Sequence, residues 1–378
     1  MKPPLTSRQF AFGLMAVGAA AIAAALAGCV NPATNDLNDA APLFDAGPPD
    51  ADPPDALPLT IGLSTLAGGP EPGFLDGARN VASFNDPVNV AVAPDNIVFV
   101  ADFNNGALRR VTEDGHVITF TAQPNFHRPF GIAFGPNNDL FVQTDRNSSN
   151  DTDNQGTGAL WRVNSSTGVA TLLKDNIGRV RGIDVLSDGR VVMCDYLRHV
   201  IKLYNPVTGV VSDLAGKLDT PGFVDAVGAN ARFSTPYDVV VAAGDVILVS
   251  DFENHRIRQV KLDGTVSTFA GGPEAITRNG AIAQARFINP QGLARANDGT
   301  LFVSDPAGHV IRRIQAGQVA TIAGDGMPGY IDNTDPLKAR FYGLEGIDVT
   351  GDGAYLYIAD GNLGDEGQPY HRLRRVAF

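Results

Sequence analysis

The chain has 378 residues, 44% of them hydrophobic and 19% charged, with 42 Gly, 25 Pro and two Cys. Its formal net charge of −12 argues against a nucleic-acid partner and against flat binding to anionic lipid, both of which need basic surface. Length alone allows two or three domains. The low charge and the abundance of Gly suit a turn-rich all-β protein that takes most of the chain as one unit.

In chain order, Lys2 and Arg8 precede an apolar stretch from Phe10 to Ala27 that runs into Leu26-Ala-Gly-Cys29. A positive start, an apolar middle and small residues before a cleavage point describe an export signal. The alternative is a membrane-spanning helix with a chance cysteine. The Leu-Ala-Gly-Cys ending resembles a bacterial lipobox, which implies removal of residues 1–28 and a lipid on Cys29. Residues 29–58 then read as a tether. Between Val30 and Pro58 lie seven Pro and six Asp with no Lys or Arg, too little apolar area to order a core and enough like charge to stay extended. These readings imply a lipid-anchored protein of the bacterial cell envelope, at the outer membrane or cell surface rather than the inner membrane. The membrane is then a partner only through the anchor.

From residue 59 to 378 a four-segment unit repeats. Its most visible letter is an aspartate that ends a short apolar run, at Asp102, Asp145, Asp195, Asp251, Asp305 and Asp360, every 43 to 56 residues. A period of this size marks one supersecondary unit copied around an axis or along a solenoid. The first segment of each copy is an apolar run such as Pro87–Val92, Pro129–Phe134, Val180–Val185, Pro236–Val241, Pro290–Arg295 and Leu344–Val349. A turn of Asp, Asn and Gly follows, which is hairpin chemistry. The second segment ends at the aspartate, the third is of the Ile257–Val260 kind, and the fourth of the Val266–Gly271 kind. Runs of 4–6 residues rich in Val, Ile and Phe read as antiparallel strands. The sixth copy stops at Phe378 without a fourth strand, while a spare one, Leu63–Gly68, precedes the first copy. The economical solution is a ring in which the N-terminal strand completes the last sheet, protecting the edges. The predicted fold is an all-β six-bladed β-propeller.

The phrase Asp251-Phe-Glu-Asn-His-Arg-Ile-Arg258, with the connection Pro221–Asp225, Ala231–Phe233 and Pro236, resembles NHL-repeat propellers, and the likeness extends over residues 61–378. The resemblance implies the propeller fold and use as a protein- or glycan-binding platform. Related six-bladed propellers of the gluconolactonase and amidating-lyase kinds bind a divalent cation at the channel, so a metal-dependent lactonase- or lyase-like enzyme is the alternative.

Among site candidates, the six aspartates read as structural: each carboxylate caps the N–H groups of the turn that follows it. His199, His255, His309 and His371 share one slot before the third strand, which a ring holds far apart, so no metal site is expected from them. Asp151–Gly156 has the start of a calcium loop, but Arg162 stands where a bidentate Glu is needed, so it reads as a solvated loop. A second insertion carries Asp365 and Glu366. No catalytic set and no cofactor are expected. The second position of the inner strands holds Val88, Phe130, Arg181, Tyr237, Gln291 and Glu345. Charges there are costly unless paired or wet. Arg181, Tyr237, Gln291 and Glu345, with Asp184 and Asp348 in matching Gly-Ile-Asp slots, are therefore the candidate ligand-binding residues at the channel mouth, and Arg295 breaks a further apolar position. The competing reading is that these charges only hydrate or rigidify the channel. The repeated Pro-Gly-aromatic-x-Asp connections, with Phe84, Phe233, Phe287 and Phe341, read as pegs between blades. The short connections before blades 2 and 3 are expected to leave a groove on that side.

Overall fold

The computed structural model describes residues 61–150, 156–361 and 370–378. Cys29, the leader and the tether lie outside the described residues, as do residues 151–155, Asp365 and Glu366.

Six antiparallel sheets form the six blades. Each of the first four has four strands in chain order, beginning at the inner strands Pro87–Val92, Pro129–Phe134, Val180–Val185 and Pro236–Ala242. In blade 5 the inner strand is only Leu293–Arg295, and a short strand, Gly280–Ala281, adds a fifth at the outer edge. Blade 6 is built from Gly343–Val349, Tyr355–Gly361 and His371–Ala377, and its outermost strand is Gly62–Gly69 from the other end of the chain. Pairing there runs from Gly62 opposite Ala377 to Gly69 opposite His371. The predicted closure is thus the observed one.

The core is divided. Each of six hydrophobic clusters draws on two neighbouring sheets: Phe99 of blade 1 shares a cluster with Trp161 of blade 2, and Tyr357 of blade 6 one with Val98 of blade 1. A blade therefore buries its faces only when both neighbours are present, which is why the ring must close. The pegs lie three residues before Pro87, Pro236, Pro290 and Leu344, where Phe84, Phe233, Phe287 and Phe341 are fully buried. Phe126 fills the same slot for blade 2 and Ile177 for blade 3, so the peg is present in all six connections and not only the long ones.

The repeated aspartates tie the blades to these connections. Asp102 accepts the Asn85 N–H at 2.7 Å and pairs with Arg109 of the third strand at 2.8 Å. Asp251 takes the Ser234 N–H at 2.8 Å and Arg258 at 2.6 Å, and Asp360 takes the Gly343 N–H and Arg374. Asp195 pairs with Lys202, and Asp305 accepts Ile288 and Asn289. The expected donors in the following turn exist for Asp195 (Arg198) and Asp305 (Gly308), but the recurrent backbone donors belong to the preceding connection. The other side of each guanidinium is held by the connection's own acid: Asp76 on Arg109, Asp225 on Arg258 and Asp332 on Arg374. Phe74, Phe223 and Tyr330 stack over the same cations at 4.6–4.9 Å. This clasp is the physical reason for the Gly-aromatic-x-Asp motif.

Blade 2 departs from the pattern. Pro129 of its inner strand is paired with Thr144, whereas Pro87, Val180, Pro236 and Leu344 are paired with Asp102, Asp195, Asp251 and Asp360. Thr144, not Asp145, occupies the aspartate slot. Trp161 stands where the other blades carry Arg or Lys, and its indole N–H donates to the Thr144 hydroxyl at 2.9 Å. Counting Asp145 among the structural aspartates is corrected accordingly: it lies one residue further on and faces different partners.

Candidate functional site: the two ends of the propeller axis

Along each inner strand successive side chains alternate, and the six strands stack their residues in layers down the axis. The end nearest the inter-blade connections carries Val88, Phe130, Arg181, Tyr237, Gln291 and Glu345, as expected. Asp184 and Asp348 are not with them. They stand three residues further along, about 10 Å at ~3.3 Å per residue, at the end formed by the hairpin turns. The single predicted mouth is therefore two sites at opposite ends.

Between them lies a constriction. The third position of the inner strands is Gly131, Gly182, Gly292 and Gly346, with Asn89 and Asp238 in the remaining two blades. A Cβ on Gly182 would collide with the Asp238 backbone and carboxylate, and one on Gly346 with the Asn89 amide. Glycine here is a requirement of close approach between neighbouring strands. The strands also break register at this level, and second-strand hydroxyls serve the freed backbone. Ser250 accepts the Asp238 N–H at 2.8 Å and donates to Gln291 O at 2.6 Å, while Ser304 accepts from Gly292 and donates to Glu345 O.

The hairpin end is open, with a cavity of about 210 Å³ reached by Asn89, Asp184, Asp238, Asp348 and Arg295 among apolar side chains. Its three carboxylates are bonded in one manner. Asp184 accepts its own neighbour Val185 N–H at 2.7 Å and Val241 N–H of blade 4 at 2.5 Å. Asp238 accepts Val239 and Leu293 of blade 5, and Asp348 accepts Val349 and Val92 of blade 1. Each is a staple between adjacent inner strands. Burial raises Asp184 and Asp238 to about 7 and Asp348 to about 6, against the pull of these N–H donors. Asp238 went unnoticed in the sequence because it sits one slot from the compared positions; its signal was a lone acid among four glycines. Among the described residues no three His, Cys, Asp or Glu side chains lie together so as to hold a metal ion. Three of the slot histidines instead tie a blade to the next connection, His199 accepting the Thr235 N–H, His371 the Asp86 N–H and His255 bonding the Ile288 carbonyl.

The connection end is filled by its own side chains. Glu345 is 6% exposed, Gln291 3% and Phe130 4%. The Arg181 guanidinium lies 4.1 Å from the Phe130 ring centroid, 5.1 Å from Tyr196 and 5.7 Å from Phe103, and 3.3 Å from Asp145. Arg179 pairs with the other oxygen of Asp145 at 2.8 Å. Tyr237 continues the arc to Phe130, Tyr196 and Phe252. Burial opposes the Arg181 charge, but Asp145, Tyr237, Tyr196 and Glu345 more than offset it and hold the guanidinium above its usual value. Burial, with Asp86, pushes Glu345 well up. Asp145, Arg179, Tyr196, Phe103 and Phe252 were not among the predicted ligand residues; their common signal is the slot just before an inner strand or just after a second one. The expected groove on the side of blades 2 and 3 is not the described cavity, which opens at the other end.

The NHL repeat family model matches residues 233–260, the first three strands of blade 4 with the peg Phe233. NHL repeat-containing protein 2 of Bos taurus is 24% identical over 78% of this chain and 40% of its own length. Protein SUPPRESSOR OF QUENCHING 1, chloroplastic, of Arabidopsis thaliana is 27% identical over 65% of this chain and 26% of its own. The chain thus spans well under half the length of these relatives. Among solved structures, a structural genomics protein of unknown function from Bacteroides thetaiotaomicron superposes with a TM-score of 0.65 at 19% identity, covering 83% of this chain and 75% of that one. An auxiliary nutrient binding protein from the same organism gives 0.64 at 17% identity with the same coverage, and a streptogramin B lyase 0.52 at 12%, covering 84% and 98%. At such identities the likeness is one of fold. The match within blade 4, the relatives and the six closed blades together support an NHL-repeat β-propeller.

Proposed function

We propose that the protein is a binding platform displayed outside the cytoplasm, anchored by a lipid on Cys29 through the Pro- and Asp-rich segment 29–58, and that its connection end captures a protein or glycan. The observation that carries this reading is the arc of Phe103, Phe130, Tyr196, Tyr237 and Phe252 folded around the Arg181 guanidinium. Aromatic rings and arginine on a rigid scaffold are the side chains that dominate recognition surfaces. The auxiliary nutrient binding protein with the same fold is compatible with such a use.

The test is capture of envelope material by the purified protein. Arg181→Ala and Glu345→Ala are each expected to lose at least about tenfold in affinity, some 1.4 kcal/mol, with an unfolding midpoint that leaves the protein folded. Unchanged capture by both variants removes the site. For the anchor, Cys29→Ser should move the protein from the membrane to the soluble fraction. The competing metal-dependent lactonase- or lyase-like reading has, of the described residues, only separate carboxylates at the hairpin end, Asp184 and Asp348 among them, to offer a cation. Stoichiometric Ca or Zn in the purified protein, lost in Asp184→Asn, would favour it.

A further inference from the structure

Buried polar atoms without a hydrogen-bond partner are rare in folded proteins, and each asks for an explanation. Among the described residues fifteen side-chain atoms are in this state. Four are the Nε atoms of Arg109, Arg258, Arg312 and Arg375, two of them in the clasp arginines Arg109 and Arg258, whose terminal nitrogens are all engaged. Five of the rest gather in one patch at the connection end: Asp145 Oδ1, Arg179 Nε, Arg181 Nε, Arg181 Nη1 and Glu345 Oε2. Asp145 is 5% exposed and Glu345 6%, so both acceptors are more than nine-tenths withdrawn from solvent. The five atoms themselves are closed to solvent, while the side chains that carry the donors, Arg179 and Arg181, are 19% and 12% exposed, so a ligand meets these two side chains first and reaches the acceptors only as they move aside.

The origin of this patch is the exception in blade 2. In the other blades the aspartate that ends the second strand is consumed in holding the connection. With Thr144 and Trp161 in that role, Asp145 is released to the mouth, where it gathers Arg179 and Arg181 from blade 3. Arg181 stands between this carboxylate and that of Glu345: it is ion-paired to Asp145 Oδ1 at 3.3 Å without hydrogen-bond geometry, and Glu345 Oε2 has no hydrogen-bond partner.

We infer that this patch is the binding site for an acidic sugar, a pyranose carrying a carboxylate beside free hydroxyls. The inference deepens the platform reading above and rests on it. The unmatched set mixes donors and acceptors. Arg179 and Arg181 offer N–H groups suited to a carboxylate, and planar guanidinium groups meet carboxylates in a matched geometry. Glu345 and Asp145 offer oxygens suited to hydroxyl donors. A uronate supplies both on one rigid ring a few ångströms across. Its apolar C–H face suits the flat rings of Tyr196 and Tyr237, which are half-buried at the same place. A peptide carboxylate satisfies the arginines and leaves the buried Glu345 Oε2 without a partner, which is costly.

The test is calorimetric titration of the purified protein with galacturonate and a short galacturonate oligomer, beside galactose, which has the same ring without the charge, and free glutamate. The expected result is saturable binding of the uronates, at least about tenfold weaker for galactose, and lost by at least about tenfold in Arg179→Lys and Arg181→Ala. Glu345→Gln keeps the shape and should weaken binding several-fold. Circular dichroism and the unfolding midpoint identify any variant that fails to fold; Arg179→Lys, which retains the charge opposite Asp145, is the variant on which the inference stands. Equal affinity for galactose and galacturonate, uronate binding indifferent to Arg179→Lys, or no uronate binding overturns it. Arginine-dependent binding of glutamate alone overturns the sugar and leaves the platform. Envelope capture indifferent to Arg181 removes the platform as well.

Discussion

In blade 4 the second strand ends at Asp251, whose carboxylate takes the Ser234 N–H and the buried Arg258, itself held from outside by Asp225. In blade 2 the equivalent slot is Thr144, and the side chain opposite is the indole of Trp161. Both solutions fix the edge of a blade to its connection. The ionic one needs a second acid and an aromatic cover to make a fully buried guanidinium tolerable. The neutral one needs a single hydrogen bond and a large apolar ring. The difference shows that the slot, and not the letter that usually fills it, is what the fold repeats, and that substituting the slot frees a charged residue for another use.

The largest test of this comparison is Asp251→Ala. It strands Arg258 with only the half-exposed Asp225, and loss of one partner of a buried pair costs about 3–5 kcal/mol in urea unfolding. A loss below about 1 kcal/mol would mean that the clasp is ornamental and the blades are held by the pegs alone. Next comes Thr144→Ala, which leaves the Trp161 N–H buried and unmatched, with an expected cost of about 1–3 kcal/mol. The sharper form is a double-mutant cycle. Thr144→Asp buries a carboxylate with no cation and should destabilise; adding Trp161→Arg should recover about 1–3 kcal/mol beyond additivity, since the two side chains are in contact. Additive losses would show that blade 2 cannot host the ionic solution.

The smallest effect is a pH dependence. Asp102 and Asp251 are raised by burial to about 6, and Asp184 and Asp238 to about 7, whereas Thr144 carries no titrating group. A carboxyl raised on folding binds its proton more tightly in the native state, so its stabilisation is complete below the unfolded value near 3.8 and is lost as pH rises through the folded one. Stability in urea should therefore fall between pH 4 and pH 7, by well under the limit of about 1.4 kcal/mol per pH unit per group. Asp184→Asn should flatten the upper part of this decline. The contribution is reduced by the openness of the cavity, where solvent screens the charge. An unchanged profile in the variant would assign the decline elsewhere.

Much of this was legible in the letters because the physics was local or periodic. The strands, their turns, the count of six and the closing role of residues 63–68 follow from alternation, turn residues and a surplus strand at one end matched by a deficit at the other. The pegs Phe84, Phe233, Phe287 and Phe341 and the Gly-aromatic-x-Asp connections stood out because the same contact is made repeatedly. What the repeat obscured was any departure from it by one residue. Asp145 read as a sixth copy of Asp102, since a shift of one position is invisible until pairing with Pro129 selects Thr144.

Only the tertiary structure could separate the ends of the axis. Arg181 and Asp184 are three letters apart and belong to sites on opposite sides of a glycine constriction, because a strand carries its side chains along the axis at more than 3 Å per residue. The same holds for the cluster of Asp145, Arg179, Arg181 and Glu345. Its members come from three blades, and their meeting depends on how the ring closes, a long-range property that no window of sequence contains. The sequence by itself determined the unit, its number and its closure; the closed ring decided which side chains face one another across it.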